Sequence, residues 1–170
     1  MIVKKLCIIS NVSLILLISV CAKAQTKLED RLDTLLNHTV PLVSQDELAK
    51  MLSKKKVILF DTRTKKEYNV SHIKGARLVD YDTFSSEMVA GFDKEKPVVV
   101  YCSVGYRSEK IGEKLLELGF TNVQNLYGGI FEWKNHSHMV VDDRNTPTDS
   151  VHVYNADWGQ YLNKGIKIIE

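Results

Sequence analysis

The chain has 170 residues, of which 44 % are hydrophobic and 26 % charged, with a formal net charge of +2 at pH 7. These values are typical of globular proteins and exclude a chain that is disordered throughout. The length allows one domain with a substantial core and is short for two domains.

The first 24 residues are predicted to be a secretory signal peptide. A short basic start, "MIVKK", precedes the apolar stretch "LCIISNVSLILLISV", and small residues at Ala22 and Ala24 end the segment. This layout is typical of a cleaved export signal, and the apolar stretch is short for a membrane span. We therefore expect an exported protein, periplasmic if the source is bacterial, with a lipid anchor through Cys21 as the alternative.

Cleavage after residue 24 would change both the charge and the thiol content. It removes three lysines and no acidic residue, which leaves 20 basic and 21 acidic residues and a formal net charge of −1. A nucleic-acid partner is then not expected, because such proteins carry an excess of basic residues. Cleavage also removes Cys7 and Cys21, so Cys102 has no cysteine left to pair with.

The elements predicted in the first half of the chain alternate between helices and short strands. Leucines at helical spacing predict an amphipathic lead-in helix within residues 25–39. Ser44 and Glu47 form the capping-box pattern that begins a second helix, and Thr64 and Glu67 repeat it further along. Between and after them, "KVILF" and "GARLVDY" predict strands and "TFSSEMVAG" predicts a short helix.

The second half continues the alternation up to residue 136. "PVVVY" is the segment most typical of a strand, and Ile111, Leu115 and Leu118 line one face of the helix that follows it. "NVQNLY" predicts another strand and "IFEWKN" a last short helix. Continuous apolar strands between amphipathic helices predict an α/β fold with a mostly parallel central sheet and helices on both faces. The aromatic residues of "DWGQYLNKG" predict that the extension over residues 137–170 packs on this domain.

Cys102 follows the strand-like run directly, at the edge of a parallel sheet where α/β proteins bind ligands. The loop "SVGYR" then leads into a helix whose first amides have no partners within the helix and favour an anion, including a thiolate. Gly105 allows a turn that points successive N–H groups inward, and Arg107 adds a fixed positive charge. Cys102 is therefore predicted to be a reactive nucleophile beside a site for a small anion.

Other interpretations of Cys102 differ in what they require. A structural cysteine would be buried, as many free cysteines are. A papain-like protease would need a histidine paired with the cysteine. Cysteine-loop phosphatases and arsenate reductases place five residues between cysteine and arginine, whereas four separate Cys102 from Arg107. A non-catalytic binding module and a persulfide carrier for a protein partner remain as alternatives.

The segments "YCSVGYRS", "LFDTRTKKEYNVSHIKGARLVDY" and "LYGGIFEWKN" resemble three parts of one known family, the rhodanese-like sulfurtransferases. "YCSVGYRS" resembles the active-site loop of that family, and "LFDTRTKKEYNVSHIKGARLVDY" is similar to its upstream signature. "LYGGIFEWKN" resembles its closing segment, and the three occur in the expected order. The resemblance implies a rhodanese-like domain over residues 40–136, which leaves the lead-in helix and the C-terminal extension unmatched.

The same resemblance implies roles for individual residues. Cys102 would be the catalytic nucleophile that holds a persulfide sulfur, and Asp61 and His72 would support the site. Arg63 would either contact the anion or form a structural ion pair. The substrate-binding residues implied by the resemblance are Ser103, Val104, Gly105, Tyr106, Arg107, Ser108 and Arg63.

These residues together predict an exported sulfurtransferase that moves sulfane sulfur from a donor such as thiosulfate through a Cys102 persulfide. The acceptor would be a thiol, cyanide or a protein thiol, and membrane contact is expected only with a lipid on Cys21. Val104 and Tyr106 stand where some thiosulfate-using relatives carry extra basic residues, so the donor need not be thiosulfate. No nucleotide-binding glycine motif appears, and His136 and His138 lack a third ligand, so neither a cofactor nor a metal is predicted.

Overall fold

A computed structural model of the chain describes residues 28–169. The predicted signal peptide, with Cys7 and Cys21, lies outside the described residues. Within residues 28–169, no helix has both the length and the apolar character that crossing a membrane requires.

A five-stranded sheet forms the centre of the fold, and all of its neighbouring strands run parallel. Its order is β1-β5-β4-β2-β3, which places β4 in the middle and the end of β4 between the ends of β2 and β5. The strands are β1 (Leu42–Val43), β2 (Ile58–Asp61), β3 (Arg77–Leu78), β4 (Val98–Tyr101) and β5 (Val123–Leu126). The predicted α/β fold with a mostly parallel sheet is confirmed.

Helices lie between the strands in the chain, and both faces of the sheet are apolar. Along β4, Val99 and Tyr101 belong to one buried apolar cluster, whereas Val98 and Val100 belong to a second. Since successive side chains of a strand point to opposite faces, the two clusters cover the two faces. The helices are α1 (residues 28–35), α2 (Gln45–Ser53), α3 (Lys65–Val70), α4 (Tyr106–Glu117) and α5 (Gly129–Asn135), with a 3₁₀ helix at Ser86–Val89.

The helix ahead of the sheet is fixed to the domain by a buried carboxylate. Glu109 of α4 accepts hydrogen bonds from the backbone N–H groups of Asn37 and Thr39, at 2.9 and 3.1 Å. Leu32 and Leu36 are buried in the same apolar cluster as the sheet. Helix α1 is therefore held against the domain, close to the loop that follows β4.

The C-terminal extension packs on the same apolar cluster. It contains β6 (Val140–Val141), β7 (Pro147–Thr148), β8 (Ser150–His152), α6 (Ala156–Gly159) and β9 (Ile166–Ile168). Strands β6 and β7 form an antiparallel pair, and β8 and β9 a parallel pair. Val151, Val153 and Leu162 are buried beside leucines of α1, so the two ends of the described chain meet on one side of the domain.

Candidate active site

Cys102 lies at the carboxyl end of the central strand and is 1 % exposed. Its Sγ atom accepts a hydrogen bond from the backbone N–H of Gly105, with an N···S distance of 3.1 Å. Gly105 has a φ of 119° and stands at the N-cap of α4, so the start of that helix is next to the sulfur. The amide and the positive end of the helix both stabilise the thiolate form of the cysteine.

Two polar side chains, those of Ser108 and Asn125, fix the loop that follows Cys102. Asn125 Nδ2 donates to the Gly105 carbonyl at 2.9 Å, and the Ser108 hydroxyl lies within hydrogen-bond distance of that carbonyl and of Asn125 Oδ1. Both side chains are fully buried. Ser108, for which the resemblance implies substrate binding, faces β5, holds the loop and is not among the described residues that line the cleft. Sequence reasoning missed Asn125, although an asparagine in a buried strand needs a polar partner.

Gly128 and Gly129, at the start of α5, let that helix approach the catalytic loop. The backbone N–H of Ile130 donates to the Cys102 carbonyl at 2.9 Å, and the N–H of Phe131 donates to the Ser103 carbonyl at 3.2 Å. A Cβ atom on Gly129 would lie only 2.3 Å from the Cys102 carbonyl oxygen. The first turn of α5 thus fixes the backbone on both sides of the cysteine.

Arg107 forms a bidentate ion pair with Glu67 at the edge of the loop. The N···O distances are 2.7 and 2.9 Å, and Ser103 Oγ lies 3.1 Å from both partners. Burial alone would raise the pKa of Glu67, but the hydrogen bonds and charge of Arg107, together with the charge of Arg63 and the N–H of Thr64, lower it to about 2. Glu67 is therefore ionised at neutral pH and offsets the positive charge of Arg107.

Glu67 thus has a larger role than the helix cap that its sequence pattern predicts. The capping box with Thr64 is present at the start of α3, and the same carboxylate also binds Arg107 and Ser103. The second partner is 40 residues away in the sequence, so the local pattern contains no sign of it.

Of the two roles expected for Arg63, the structure shows the ion pair. Its guanidinium binds the Asp61 carboxylate at 2.6 and 2.9 Å and the Ser71 carbonyl at 2.6 Å, and both charged side chains are 0 % exposed. Burial opposes the charged form, but the adjacent Asp61 carboxylate outweighs it and raises the pKa of Arg63. Arg63 is not among the described residues that line the cleft, so it is a structural partner of Asp61.

His72 packs on Tyr68 and pairs with the C-terminal extension. Its ring stacks on Tyr68 with a centroid distance of 3.9 Å, and its backbone pairs with Val141 of β6. It therefore connects the segment after α3 to the C-terminal extension.

A cleft of about 270 Å³ opens at Cys102. Five predicted residues reach it, namely Cys102, Ser103, Val104, Tyr106 and Arg107. Six lining residues were not predicted: Leu35, Thr64, Tyr81, Asp82, Tyr154 and Trp158. Leu35 comes from α1, and Tyr154 and Trp158 come from the C-terminal extension, so segments at both ends of the described chain form part of the wall.

The two histidines after α5 have local partners. His138 stacks on Trp133 with a centroid distance of 4.2 Å, and His136 Nδ1 lies 2.9 Å from the Glu132 carbonyl. Among residues 28–169, no group of three or more histidine, cysteine, aspartate or glutamate side chains is arranged to hold a metal ion.

The solved structures that are similar to this chain include two sulfurtransferases. A thiosulfate sulfurtransferase from Pseudomonas aeruginosa matches with a TM-score of 0.56 and 21 % identity, over 63 % of this chain and 21 % of that one. A human single-domain sulfurtransferase matches with a TM-score of 0.50 and 25 % identity, over 56 % of this chain and 96 % of that one. The first likeness shows the fold alone.

The sequence comparisons give the family. A protein named tRNA uridine(34) hydroxylase from Hamiltonella defensa is 37 % identical over 56 % of this chain and 28 % of its own length. One from Yersinia pestis is 36 % identical over 52 % of this chain and 26 % of its own length. This chain thus covers about a quarter of these relatives. The family model for the rhodanese-like domain matches residues 44–136, and the chain belongs to the rhodanese-like domain family.

Proposed function

We propose that this protein is a sulfurtransferase that carries sulfane sulfur as a persulfide on Cys102. One observation carries the proposal: the Cys102 Sγ atom accepts the N–H of Gly105 at the start of α4 and also lines the cleft. A thiolate stabilised in this way is a nucleophile that substrate in the cleft can reach.

The first half of the reaction loads sulfur from a donor such as thiosulfate. The Cys102 thiolate attacks the outer sulfur of the donor, the S–S bond of thiosulfate breaks, and sulfite leaves with the bonding electron pair. The product is a Cys102 persulfide anion, so charge and atoms balance without an oxidant or a proton. In the second half, a thiophilic acceptor takes the outer sulfur and returns Cys102 to the thiolate.

The names of the curated relatives suggest a different use of the domain. Those proteins are named for hydroxylation of tRNA, and this chain covers about a quarter of their length. We do not extend a tRNA substrate to this chain, because cleavage after residue 24 would leave a formal net charge of −1. Proteins that bind RNA usually present an excess of positive charge.

We also propose that the protein is exported, on the basis of its first 24 residues. A mature chain that begins at Gln25 would support cleavage as a soluble protein, whereas a lipid on Cys21 would support the anchored form. The mass of the N-terminal peptide from the native host distinguishes the two, and an N-terminus at Met1 would contradict both.

Intact-mass spectrometry before and after thiosulfate tests the sulfur transfer. We expect the wild-type chain to gain the mass of one sulfur atom, and Cys102→Ser to gain none while keeping the same fold by circular dichroism. Transfer of sulfur from thiosulfate to cyanide should fall to the uncatalysed rate in this variant. A Cys102→Ser protein that still transfers sulfur would eliminate the proposed nucleophile.

A further inference from the structure

The cleft at Cys102 is larger and more apolar than a small sulfur anion requires. Its volume is about 270 Å³, whereas an apolar cavity of about 150 Å³ is enough to bind benzene. Its apolar and aromatic wall consists of Leu35, Tyr81, Val104, Tyr106, Tyr154 and Trp158. The cleft therefore has room for an organic group the size of an aromatic ring beside the reacting sulfur.

One part of this wall is formed outside the region that matches the family model. Leu35 lies on α1, and Tyr154 and Trp158 lie on the C-terminal extension, whereas the match covers residues 44–136. We call these three residues the outer wall. Because the outer wall lies beside the cysteine but outside the loop that activates it, it can affect which substrate fits without affecting how the thiolate forms.

Hydrogen bonds fix the backbone at the two aromatic residues of the outer wall. The backbone N–H of Trp158 donates to Asn155 Oδ1 at 3.0 Å, and the Arg31 guanidinium lies 5.6 Å from the centre of the Trp158 ring. Tyr154 has a φ of 65°, and its N–H donates to His152 Nδ1 at 3.1 Å. A tyrosine in the left-handed region is uncommon, and such strain is often found at functional sites.

The charges around the cleft favour an uncharged acceptor over an anionic one. Besides the Cys102 thiolate, the described charged side chains that line the cleft are Arg107 and Asp82. Glu67 offsets the charge of Arg107 at 2.7 Å, and Asp82 is exposed. An anionic acceptor would therefore be repelled by net negative charge, whereas an uncharged thiol would not be repelled.

We propose that the outer wall selects an uncharged organic thiol with an apolar group as the acceptor of sulfur from Cys102. This inference rests on the sulfur transfer proposed above. The acceptor sulfur attacks the outer sulfur of the Cys102 persulfide anion, and the S–S bond to Sγ breaks. Sγ leaves as the thiolate that the Gly105 amide stabilises, and the acceptor proton passes to the transferred sulfur, so the product is an organic persulfide.

Discharge of a preloaded persulfide tests the proposal. The full chain is loaded with thiosulfate or, if loading is slow, with inorganic polysulfide, and the gain of sulfur is measured by intact mass. It is then mixed with phenethyl mercaptan or with mercaptoethanol, two alkyl thiols of similar acidity that differ in their apolar group. We expect discharge to be about tenfold or more faster with phenethyl mercaptan, because an aromatic group is buried in the cleft.

Variants of the outer wall show whether it causes the preference. Trp158→Ala should reduce the rate ratio between the two thiols by about tenfold. Tyr154→Gly should also reduce the ratio, and this variant does not threaten the fold because glycine adopts a φ of 65° readily. Leu116→Ala is the control, since Leu116 is an exposed apolar residue of α4 that is not among the residues lining the cleft.

The outcomes separate this inference from the proposed function. A loaded persulfide that discharges equally fast with both thiols, or a preference that persists in both variants, would overturn the role of the outer wall and leave the sulfur transfer standing. A chain that gains no sulfur from either donor would overturn both. A preference that disappears in Trp158→Ala and Tyr154→Gly, but not in Leu116→Ala, would support the inference.

Discussion

Two arginine–carboxylate pairs stand near the ends of neighbouring strands, and they differ in what surrounds them. Asp61 and Arg63 are both 0 % exposed, and the arginine is also bound to the Ser71 carbonyl. Glu67 is buried as well, but its partner Arg107 is 19 % exposed and lines the cleft beside Cys102. The two pairs share their chemistry and differ in access to substrate.

This difference shows that an arginine near a nucleophile is not necessarily a ligand for substrate. Desolvation of a charged pair is unfavourable, and a buried pair is stable only when its geometry and remaining hydrogen bonds are good. Arg63 binds Asp61 and the Ser71 carbonyl inside the protein, but its buried Nη1 atom has no hydrogen-bond partner among the described residues, so it meets these conditions only in part. Arg107 satisfies them in part with Glu67 and keeps one side toward the cleft, so its effect on substrate depends on how far Glu67 offsets its charge.

The largest effect is expected from Arg63→Met, which leaves Asp61 buried without its partner. We expect the free energy of unfolding to fall by about 3–5 kcal/mol, measured by urea denaturation. In the fraction that stays folded, persulfide formation on Cys102 should keep a rate close to that of the wild type, because Arg63 is not among the described residues of the cleft.

The double variant Asp61→Asn with Arg63→Met is the matched control. It removes both charges, so it should be less destabilised than Arg63→Met alone. A folded Arg63→Met protein that loads no sulfur would contradict the structural role of Arg63, because it would show that Arg63 takes part in the reaction.

A smaller effect is expected from the pH dependence of the Glu67 contribution. The pKa of this carboxyl is lowered from 4.5 to about 2 in the folded chain, since its hydrogen bonds and the charge of Arg107 outweigh its burial. A carboxyl with a lowered pKa stabilises the fold fully above its unfolded pKa, and the stabilisation disappears as the pH falls through its folded pKa. The stability difference between wild type and Glu67→Gln should therefore be about 3 kcal/mol at pH 7 and should decrease between pH 4.5 and about 2.

Glu47→Gln controls for the loss of the helix cap in this experiment. Glu47 forms the same capping box with Ser44 at the start of α2, but its carboxylate is exposed at the surface. Urea denaturation across the pH range should therefore show a smaller difference for Glu47→Gln than for Glu67→Gln. Equal stability differences for the two variants would mean that the ion pair with Arg107 contributes no stability beyond that of the helix cap.

The parts of the fold and site that are local in sequence could be predicted. The apolar run of β4, the cysteine that ends it and the helix that follows Gly105 are adjacent, so their arrangement follows from strand and helix patterns alone. The alternation of apolar strands with amphipathic helices likewise predicts the parallel sheet.

The remaining parts depend on contacts between distant segments. Glu67 and Arg107 are 40 residues apart, and the sequence around Glu67 shows only a helix cap. The outer wall depends on where the C-terminal extension folds back, and the short strands of that segment leave weak patterns. Tyr154 and Trp158 could therefore be expected to pack on the domain, but not to stand at the cysteine.

The smallest expected effect is on the rate of persulfide formation when the charge that offsets Arg107 is removed. Glu67→Gln keeps a side-chain oxygen that can accept from Arg107 but removes the negative charge that offsets it. The field at the cleft then becomes more positive by one charge, which should favour thiosulfate by about 1 kcal/mol. We expect persulfide formation from thiosulfate to be about fivefold faster than in the wild type, measured by intact mass over time.

Salt and a matched variant separate this charge effect from positioning. The gain should shrink as ionic strength rises, because mobile ions screen the interaction between Arg107 and the approaching dianion. Glu47→Gln changes the net charge equally but lies on α2, outside the described lining of the cleft, so its loading rate should stay that of the wild type. A slower rate in Glu67→Gln at every salt concentration would mean that Glu67 acts mainly by orienting Arg107 and Ser103. Since the same carboxylate binds both residues and caps α3, the sign of this one rate change decides whether charge or orientation dominates.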